Sequence, residues 1–76
     1  PATTTFSSGT IASLGDITVQ NTDYFPASGY IFHGSGSNRG VIRYTSKTPT
    51  TFNGCTVISG STTIQSGSDI IPYSID

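Results

Sequence analysis

The sequence has few of the residues that carry catalytic or metal chemistry. Its 76 residues include no Glu, Met or Trp, one Cys, one His, three basic and four acidic side chains. With Cys55 as its single cysteine, the chain cannot form an internal disulfide. We expect no metal site and no cofactor, because the remaining metal-binding side chains are His33 and four scattered aspartates.

Basic residues are too few for nucleic-acid binding. Arg39, Arg43 and Lys47 are the whole basic set, and the formal net charge is -1, whereas a surface that follows phosphates needs clustered Lys and Arg. No apolar run approaches the length that crosses a bilayer, so no membrane contact is expected. The N-terminus lacks a basic stretch followed by an apolar one, so we expect no signal peptide. The start at Pro1 fits removal of an initiator Met and predicts synthesis in the cytoplasm.

We predict that the chain is not an enzyme. A nucleophilic Cys55 would need a base, and His33 is the only histidine. A cysteine in a strand is more often a small buried hydrophobic residue. Two aspartates could form a carboxylate pair of the glycosidase type, but positions in turns and at strand ends account for each of them.

The chain does have the composition of strands and turns. Ser and Thr make up about a third of it, and nine glycines mark frequent turns. Strong helix formers are scarce. Apolar alternation interrupted by turns at intervals of roughly ten residues predicts an all-β fold. We expect a small antiparallel β-sandwich or a partly open barrel of five to six strands.

Alternation of apolar and polar residues places the individual strands. The predicted strands cover 16–20, 30–33, 41–45, 51–58, 62–65 and 70–75. For 51–58 the alternative is a tight hairpin at Asn53 and Gly54. Residues 34–40, with three glycines in seven positions, are predicted to form a loop. Pro72 assigns the last strand to a sheet edge, because proline cannot donate to a ladder.

Residues 1–15 are predicted to form an extended N-terminal docking arm, followed by a single small β-domain over 16–76. The segment is polar and weakly patterned, so it cannot build a core of its own. Its large apolar residues, Phe6, Ile11 and Leu14, need a surface to cover them. We expect a neighbouring molecule to supply that surface, and the alternative is a terminus without fixed structure.

Three loop residues complete the predicted partner-binding set. Tyr24 and Phe25 lie in a turn beside Pro26 and could stack on a sugar or pack against a protein. For Phe25 the alternative is burial in the core. Arg39 lies in the glycine-rich segment, where it could pair with a carboxylate of a neighbouring subunit or simply be solvated.

Three segments, 16–31, 40–47 and 50–56, resemble a β-module of tailed-bacteriophage virion structural proteins. They contain a Phe-Pro-Ala-Ser-Gly turn, an Ile-Arg-Tyr-Thr strand and a Thr-Thr-Phe-Asn-Gly-Cys strand. These are similar to the Phe-Pro-Ser-Ser-Gly, Ile-x-Tyr-Thr and Thr-x-Phe/Leu-x-Gly-Cys patterns of that family. The chain departs from the family at Gly40, where an acidic residue is frequent, and at Val57 and Ile58, where Arg-Gly is common.

The resemblance implies a structural protein of a virion. A module that forms nearly the whole chain looks like a capsid decoration (cement) protein. Such proteins bind the major capsid protein on the outer capsid surface, often as trimers, and stabilise contacts between capsomers. The alternative is a tail, fibre or baseplate module that binds host glycans, with Tyr24, Tyr30 and Tyr73 as stacking residues. Small size also favours assembly into a homo-oligomer, because a chain this short without cross-links is marginally stable alone.

Overall fold

A computed structural model of the protein describes residues 3–74, which form ten short strands and one helical turn. The strands are β1 (Thr3–Thr4), β2 (Gly9–Thr10), β3 (Ile17–Thr18), β4 (Gly29–Ser35), β5 (Asn38–Tyr44), β6 (Ser46–Thr48), β7 (Thr51–Asn53), β8 (Thr56–Gly60), β9 (Thr63–Ile64) and β10 (Asp69–Tyr73), and the turn is α1 (Ile11–Leu14). The ends of the predicted arm and last strand, residues 1–2 and 75–76, lie outside the described range.

The strands form three sheets, and all of their pairings are antiparallel. The largest sheet has the order β1-β10-β4-β5-β8, and the smaller sheets pair β2 with β9 and β3-β7-β6. A single bridge between Thr5 and Val19 connects the segment after β1 to the segment after β3. The sheets do not close into a barrel. The prediction of an antiparallel all-β fold is therefore confirmed.

The predicted strand over 51–58 is two strands in two different sheets. β7 pairs with β3 and β6, whereas β8 pairs with β5. The chain changes sheet at Gly54, which has a φ of 65° and where a Cβ atom would collide with Thr45. Only glycine fits this combination of backbone angle and close approach. The single-strand prediction is wrong, although its expected pairing with 41–45 is confirmed for the β8 half.

The predicted loop over 34–40 is a β-hairpin. β4 and β5 are seven residues each and pair along their whole length, which leaves only Gly36 and Ser37 in the turn. Gly36 has a φ of 60°, as the first central residue of a type II′ turn requires. Gly34 pairs with Arg39 across the hairpin, in a place where a side chain would strike the opposite backbone. The glycines therefore extend the ladder here and do not end it.

Residues 3–14 belong to the domain, contrary to the prediction of an extended arm. β1 adds a strand to the largest sheet, and β2 pairs with β9. Thr5 is fully buried; its amide donates to the Ser68 carbonyl (3.0 Å) and its hydroxyl to the Thr18 carbonyl (3.1 Å). The domain measures 28 × 26 × 22 Å, which are the dimensions of a compact body. A polar, threonine-rich segment can be interior because its hydroxyls bond backbone carbonyls.

One cluster of buried side chains joins the sheets. Its members are Ile11, Ile17, Val19, Phe25, Ile31, Ile42, Tyr44, Phe52, Cys55, Ile64 and Ile70. The ring of Phe52 packs against those of Phe25 and Tyr44, with centroids 4.9 and 4.7 Å apart. Tilted contacts of this kind are the favoured geometry for aromatic pairs. Ile42 and Tyr44 face the core together, as the alternation in the third predicted strand indicates.

Pro72 lies where no strand needs its missing N–H. β1 pairs with β10 only at Asp69 and Ile70, so β10 has no described neighbour on that side at Pro72. The prediction that the last strand is an edge strand is wrong, because β10 lies between β1 and β4. Only its end around Pro72 lies at an open edge, which is where proline is tolerated in a ladder because its nitrogen faces no acceptor.

Candidate functional site

The largest sheet has two faces, and both carry hydrophobic side chains. Ile31, Ile42 and Ile70 point into the core. Because side chains alternate along a strand, the residues between them lie on the opposite side. We call this side the outer face, and its members on β4, β5 and β10 are Tyr30, Phe32, Arg39, Val41, Arg43, Ile71 and Tyr73.

Strand register arranges the outer face in rows. Ile71, Phe32 and Val41 are neighbours across β10, β4 and β5 and form an apolar row. The rings of Phe32 and Tyr73 stack, with centroids 6.3 Å apart and planes inclined by 30°. Ile71 and Tyr73 are each 43% exposed. Phe32 is half-buried and Val41 is buried. The apolar part of the outer face is therefore open to solvent along β10 and covered towards β5.

This arrangement differs from an ordinary half-solvated sheet. An antiparallel sheet with one wet face normally alternates apolar with polar residues. In β4 and β10, apolar residues occupy both the inward-facing and the outward-facing positions: Ile31 alternates with Phe32, and Ile70 with Ile71. In β8, Ile58 is left without a partner at the register shift opposite Val41 and Ile42, and it is 47% exposed. Exposed apolar side chains that are neighbours, as Ile71 and Tyr73 are on β10, are typical of an interaction site.

Three of the six predicted partner-binding residues, Phe6, Tyr24 and Arg39, are on the surface, and the other three are not. Phe6 is 61% exposed and Tyr24 is 70% exposed. Ile11 and Phe25 are buried in the core, and Leu14 packs against it half-buried. Ile11 and Phe25 are thus corrected from surface contacts to core residues, because α1 and the turn before β4 fold their apolar side chains inward. For Phe25 the alternative reading from the sequence was the right one.

Arg39 lies in a strand and not in a loop. It is exposed on β5, on the outer face, four residues before Arg43. Four strand residues span about 13 Å, so the two guanidinium groups flank Val41 on the same side of the sheet. Arg39 therefore remains a candidate contact, now as part of the outer face.

Sequence reasoning did not single out Phe32, Ile58, Ile71 or Arg43 as binding residues. A signal was available for Phe32 and Ile71, because a strand that is apolar in both phases must be covered on both faces. That signal needs correct strand boundaries. The prediction of a loop over 34–40 makes β5 too short. It therefore does not place both arginines on one face of a strand.

A shallow cleft of about 330 Å³ lies at one end of the outer face. It is lined by Ser28, Gly29, Tyr30, Arg43, Tyr44 and Thr45. Tyr30 and Arg43 are directly opposite each other in the ladder, and so are Gly29 and Tyr44. The cleft therefore lies at the end of the sheet where β4 begins and β5 ends.

His33 is fully buried on the inner side of β4, opposite Gly40 and Ile70. Neither ring nitrogen has a hydrogen-bond partner within the described residues. Burial lowers the pKa of His33 below 6.5, and the nearby backbone of Ser61 offsets only part of that effect. A neutral imidazole enclosed in this way is packed as a core residue.

Cys55 is likewise placed for packing. Its thiol donates to the Phe52 carbonyl over 3.3 Å. Burial raises the pKa of Cys55 to about 12, and the charge of Asp16 adds to the shift. The thiolate needed for nucleophilic chemistry is therefore strongly disfavoured.

No group of three metal-binding side chains comes together among residues 3–74. None of the helical structure in that range is long and apolar enough to cross a membrane. Comparisons with protein-family models, with curated proteins and with solved structures found no match to the chain. Fold and site together define a small all-β domain with an apolar outer sheet face.

Proposed function

We propose that this protein is a structural binding module that attaches to a larger assembly through its outer face. The observation that carries the proposal is the apolar row of Ile71, Phe32 and Val41, bordered by Tyr73 and flanked by arginines. Aromatic residues and Arg are enriched at the centres of protein interfaces. The inner face of the largest sheet is already packed in the core. A partner that covers the outer face would therefore remove the remaining apolar surface of this sheet from water.

The assembly we propose is a phage capsid, with the chain as a decoration (cement) protein on its outer surface. This role rests on the resemblance of residues 16–31, 40–47 and 50–56 to phage virion modules. The partner would be the major capsid protein, and the chain would bind as a homo-oligomer, with a trimer favoured. Synthesis in the host cytoplasm would precede attachment.

The proposed mechanism is mechanical. Apolar burial contributes roughly 25 cal/mol per Å², so a few hundred Å² at each contact gives several kcal/mol before the cost of association. Contacts that bridge adjacent capsomers would add this stabilisation repeatedly over a symmetric shell. The shell would then resist internal pressure better with the module than without it.

Binding of face variants to shells tests the proposal. Ile71→Asp places a charge in the apolar row at an exposed position, and Thr62→Asp is the matched control at an exposed position outside the largest sheet. Both proteins would be added to purified shells that lack the module, and the bound fraction measured by co-sedimentation. We expect at least about tenfold weaker binding for Ile71→Asp and unchanged binding for Thr62→Asp. Equal binding by both, with circular dichroism showing both folded, would refute the role of the outer face.

The alternative function is a tail, fibre or baseplate module that contacts host glycans. One observation favours it: Tyr30 and Tyr73 are cross-strand neighbours on the outer face. Tyr24, the third stacking residue expected for this role, is exposed in the loop between β3 and β4. Copy number separates the two functions, because a copy number that scales with the capsomers indicates the shell and a small fixed number indicates the tail.

A further inference from the structure

The cleft at the end of the outer face has the dimensions of a small-molecule site. Its volume of about 330 Å³ is at the lower end of the roughly 300–1,000 Å³ typical of ligand pockets. Gly29 contributes no side chain, and the hydroxyl of Tyr44 is already engaged with the Pro26 carbonyl. The space at this end of the paired strands β4 and β5 therefore suits one ring-sized unit of a ligand that continues into solvent.

The lining of the cleft selects for negative charge. Arg43 is its one charged residue, and no carboxylate lines it. Of the described aspartates, Asp69 begins β10 at the far end of that strand from Tyr73, and Asp23 lines a separate recess. The Asp16 carboxylate accepts from the Gly54 amide, which lies beside Thr45, but Asp16 is not part of the cleft lining. A guanidinium binds a carboxylate through two parallel hydrogen bonds, which gives both strength and orientation. A single arginine is too little for a nucleic-acid backbone, which needs clustered positive charge.

The remaining groups of the cleft fit a sugar ring. Tyr30 stands directly opposite Arg43 in the ladder, within about 5.5 Å at the Cβ atoms, and tyrosine offers a rigid ring with both apolar and polar contact area. Ser28 and Thr45 add exposed hydroxyl side chains at the rim. An aromatic ring, a guanidinium and hydroxyl groups are thus grouped around one space.

We propose that this cleft binds a carboxylate-bearing sugar unit, a uronic acid residue of an acidic polysaccharide. The carboxylate pairs with Arg43, the ring packs against Tyr30, and the sugar hydroxyls meet the polar rim. This binding does not require the capsid role, because it uses the end of the outer face and a free sugar as ligand. A chain that binds no sugar could still attach to shells, and a chain that does not attach to shells could still bind the sugar.

The second recess of the molecule offers a contrast. It is lined by Thr22, Asp23, Lys47, Thr48 and Pro49. It contains charges of both signs, and the Lys47 ammonium already donates to the Thr22 carbonyl. Its charges of opposite sign favour neither an anionic nor a cationic ligand, and its lining contains no aromatic ring.

Titration of the whole 15N-labelled chain with D-galacturonic acid tests the proposal. We expect saturable chemical-shift changes at the amides of Gly29, Tyr30 and Thr45. Neutral galactose lacks the carboxylate and acetate lacks the ring, so each should bind at least about tenfold more weakly. Arg43→Gln should lose at least about tenfold in galacturonate affinity. Arg39→Gln is the matched control, because Arg39 is an exposed arginine on the same strand and face but outside the cleft.

The alternative outcomes are distinct. Equal affinity for galacturonate and galactose would refute the role of charge. Equal affinity for galacturonate and acetate would show a simple anion site and refute the sugar. Absence of saturable shifts at the cleft amides, or an equal loss in Arg39→Gln and Arg43→Gln, would refute the site itself.

Discussion

The hydroxyl of Tyr44 donates a hydrogen bond of 2.7 Å to the carbonyl oxygen of Pro26. Tyr44 lies at the end of β5 with only 1% of its surface exposed, and Pro26 lies in the loop between β3 and β4. The bond therefore ties that loop to the largest sheet beside the cleft. It also satisfies a buried hydroxyl that would otherwise be costly to enclose.

Removing this hydroxyl should destabilise the domain. Tyr44→Phe leaves the Pro26 carbonyl without its partner, and we expect a loss of about 1–2 kcal/mol in the free energy of unfolding, measured by urea denaturation. Tyr73→Phe is the control, since Tyr73 is half-exposed on the outer face, and it should change stability by less than about 0.5 kcal/mol. Equal effects in the two variants would show that the Tyr44 bond contributes nothing specific.

The close approach of β5 and β8 at Gly40 predicts a large effect for a single methyl group. A Cβ atom at Gly40 would lie 2.5 Å from the Ser59 carbonyl oxygen and 3.2 Å from the Gly60 Cα. Both are backbone atoms and cannot rotate away, so Gly40→Ala should cost at least about 2 kcal/mol of stability.

Gly36→Ala separates this clash from backbone strain. Gly36 has a φ of 60°, but a Cβ there would meet nothing within 4 Å. Its substitution should therefore cost only the left-handed strain, about 1–2 kcal/mol. A Gly40→Ala protein as stable as the unsubstituted chain in urea denaturation would contradict the observed strand spacing.

The buried His33 predicts a loss of stability in weak acid. Because the folded pKa is lowered from 6.5, the unfolded chain binds a proton more readily than the folded one at pH values just below 6.5. Stability should therefore fall as the pH drops through 6.5 and level off, for this group, once the pH is below the folded pKa. Well above 6.5 the imidazole is neutral in both states, and this group contributes no pH dependence.

His33→Leu is the test of that dependence. The variant should lack the decrease that sets in as the pH falls through 6.5. At neutral pH it should be at least as stable as the original chain, because an imidazole with two unpartnered nitrogens is replaced by an apolar side chain of similar size. Identical pH profiles of thermal unfolding in the two proteins would show that His33 is not the titrating group.

The N-terminal segment should be required for folding as well as for any contact. Removing residues 1–14 would take away β1, the buried Thr5 and the core residue Ile11. We expect the truncated chain to lose the near-ultraviolet circular dichroism and dispersed NMR spectrum of a folded domain. Phe6→Ser is the sharper variant, since Phe6 is 61% exposed and should keep the fold within about 0.5 kcal/mol. A folded truncated chain would contradict the placement of Ile11 in the core.

Fold class was predictable from the sequence because it depends on local properties. Alternating apolar residues and frequent glycines indicate strands and turns wherever they occur. The core faces of β3 and β5 follow from the same alternation, as Ile17 and Ile42 illustrate.

What could not be predicted depends on contacts between distant residues. From the sequence, Gly34 and Gly40 are predicted to lie in a loop. In the structure they lie in paired strands, where two backbones approach too closely for a side chain. From the sequence, Thr3 and Thr5 are predicted to belong to an extended arm. Both are buried, and their burial depends on partners far away in the chain, such as Thr18 and Ser68. Part of the outer face was missed for the same reason, because strand pairing alone brings Phe32 next to Ile71 and Val41.

The central claim is that the outer face is the surface by which this module joins its assembly. A cryo-EM reconstruction of a particle that contains the protein, at a resolution that orients the sheets, tests it most directly. We predict that Phe32, Ile71 and Tyr73 lie against the shell or against a sister subunit. A reconstruction in which these three side chains face solvent, while another surface makes the contact, would contradict the account.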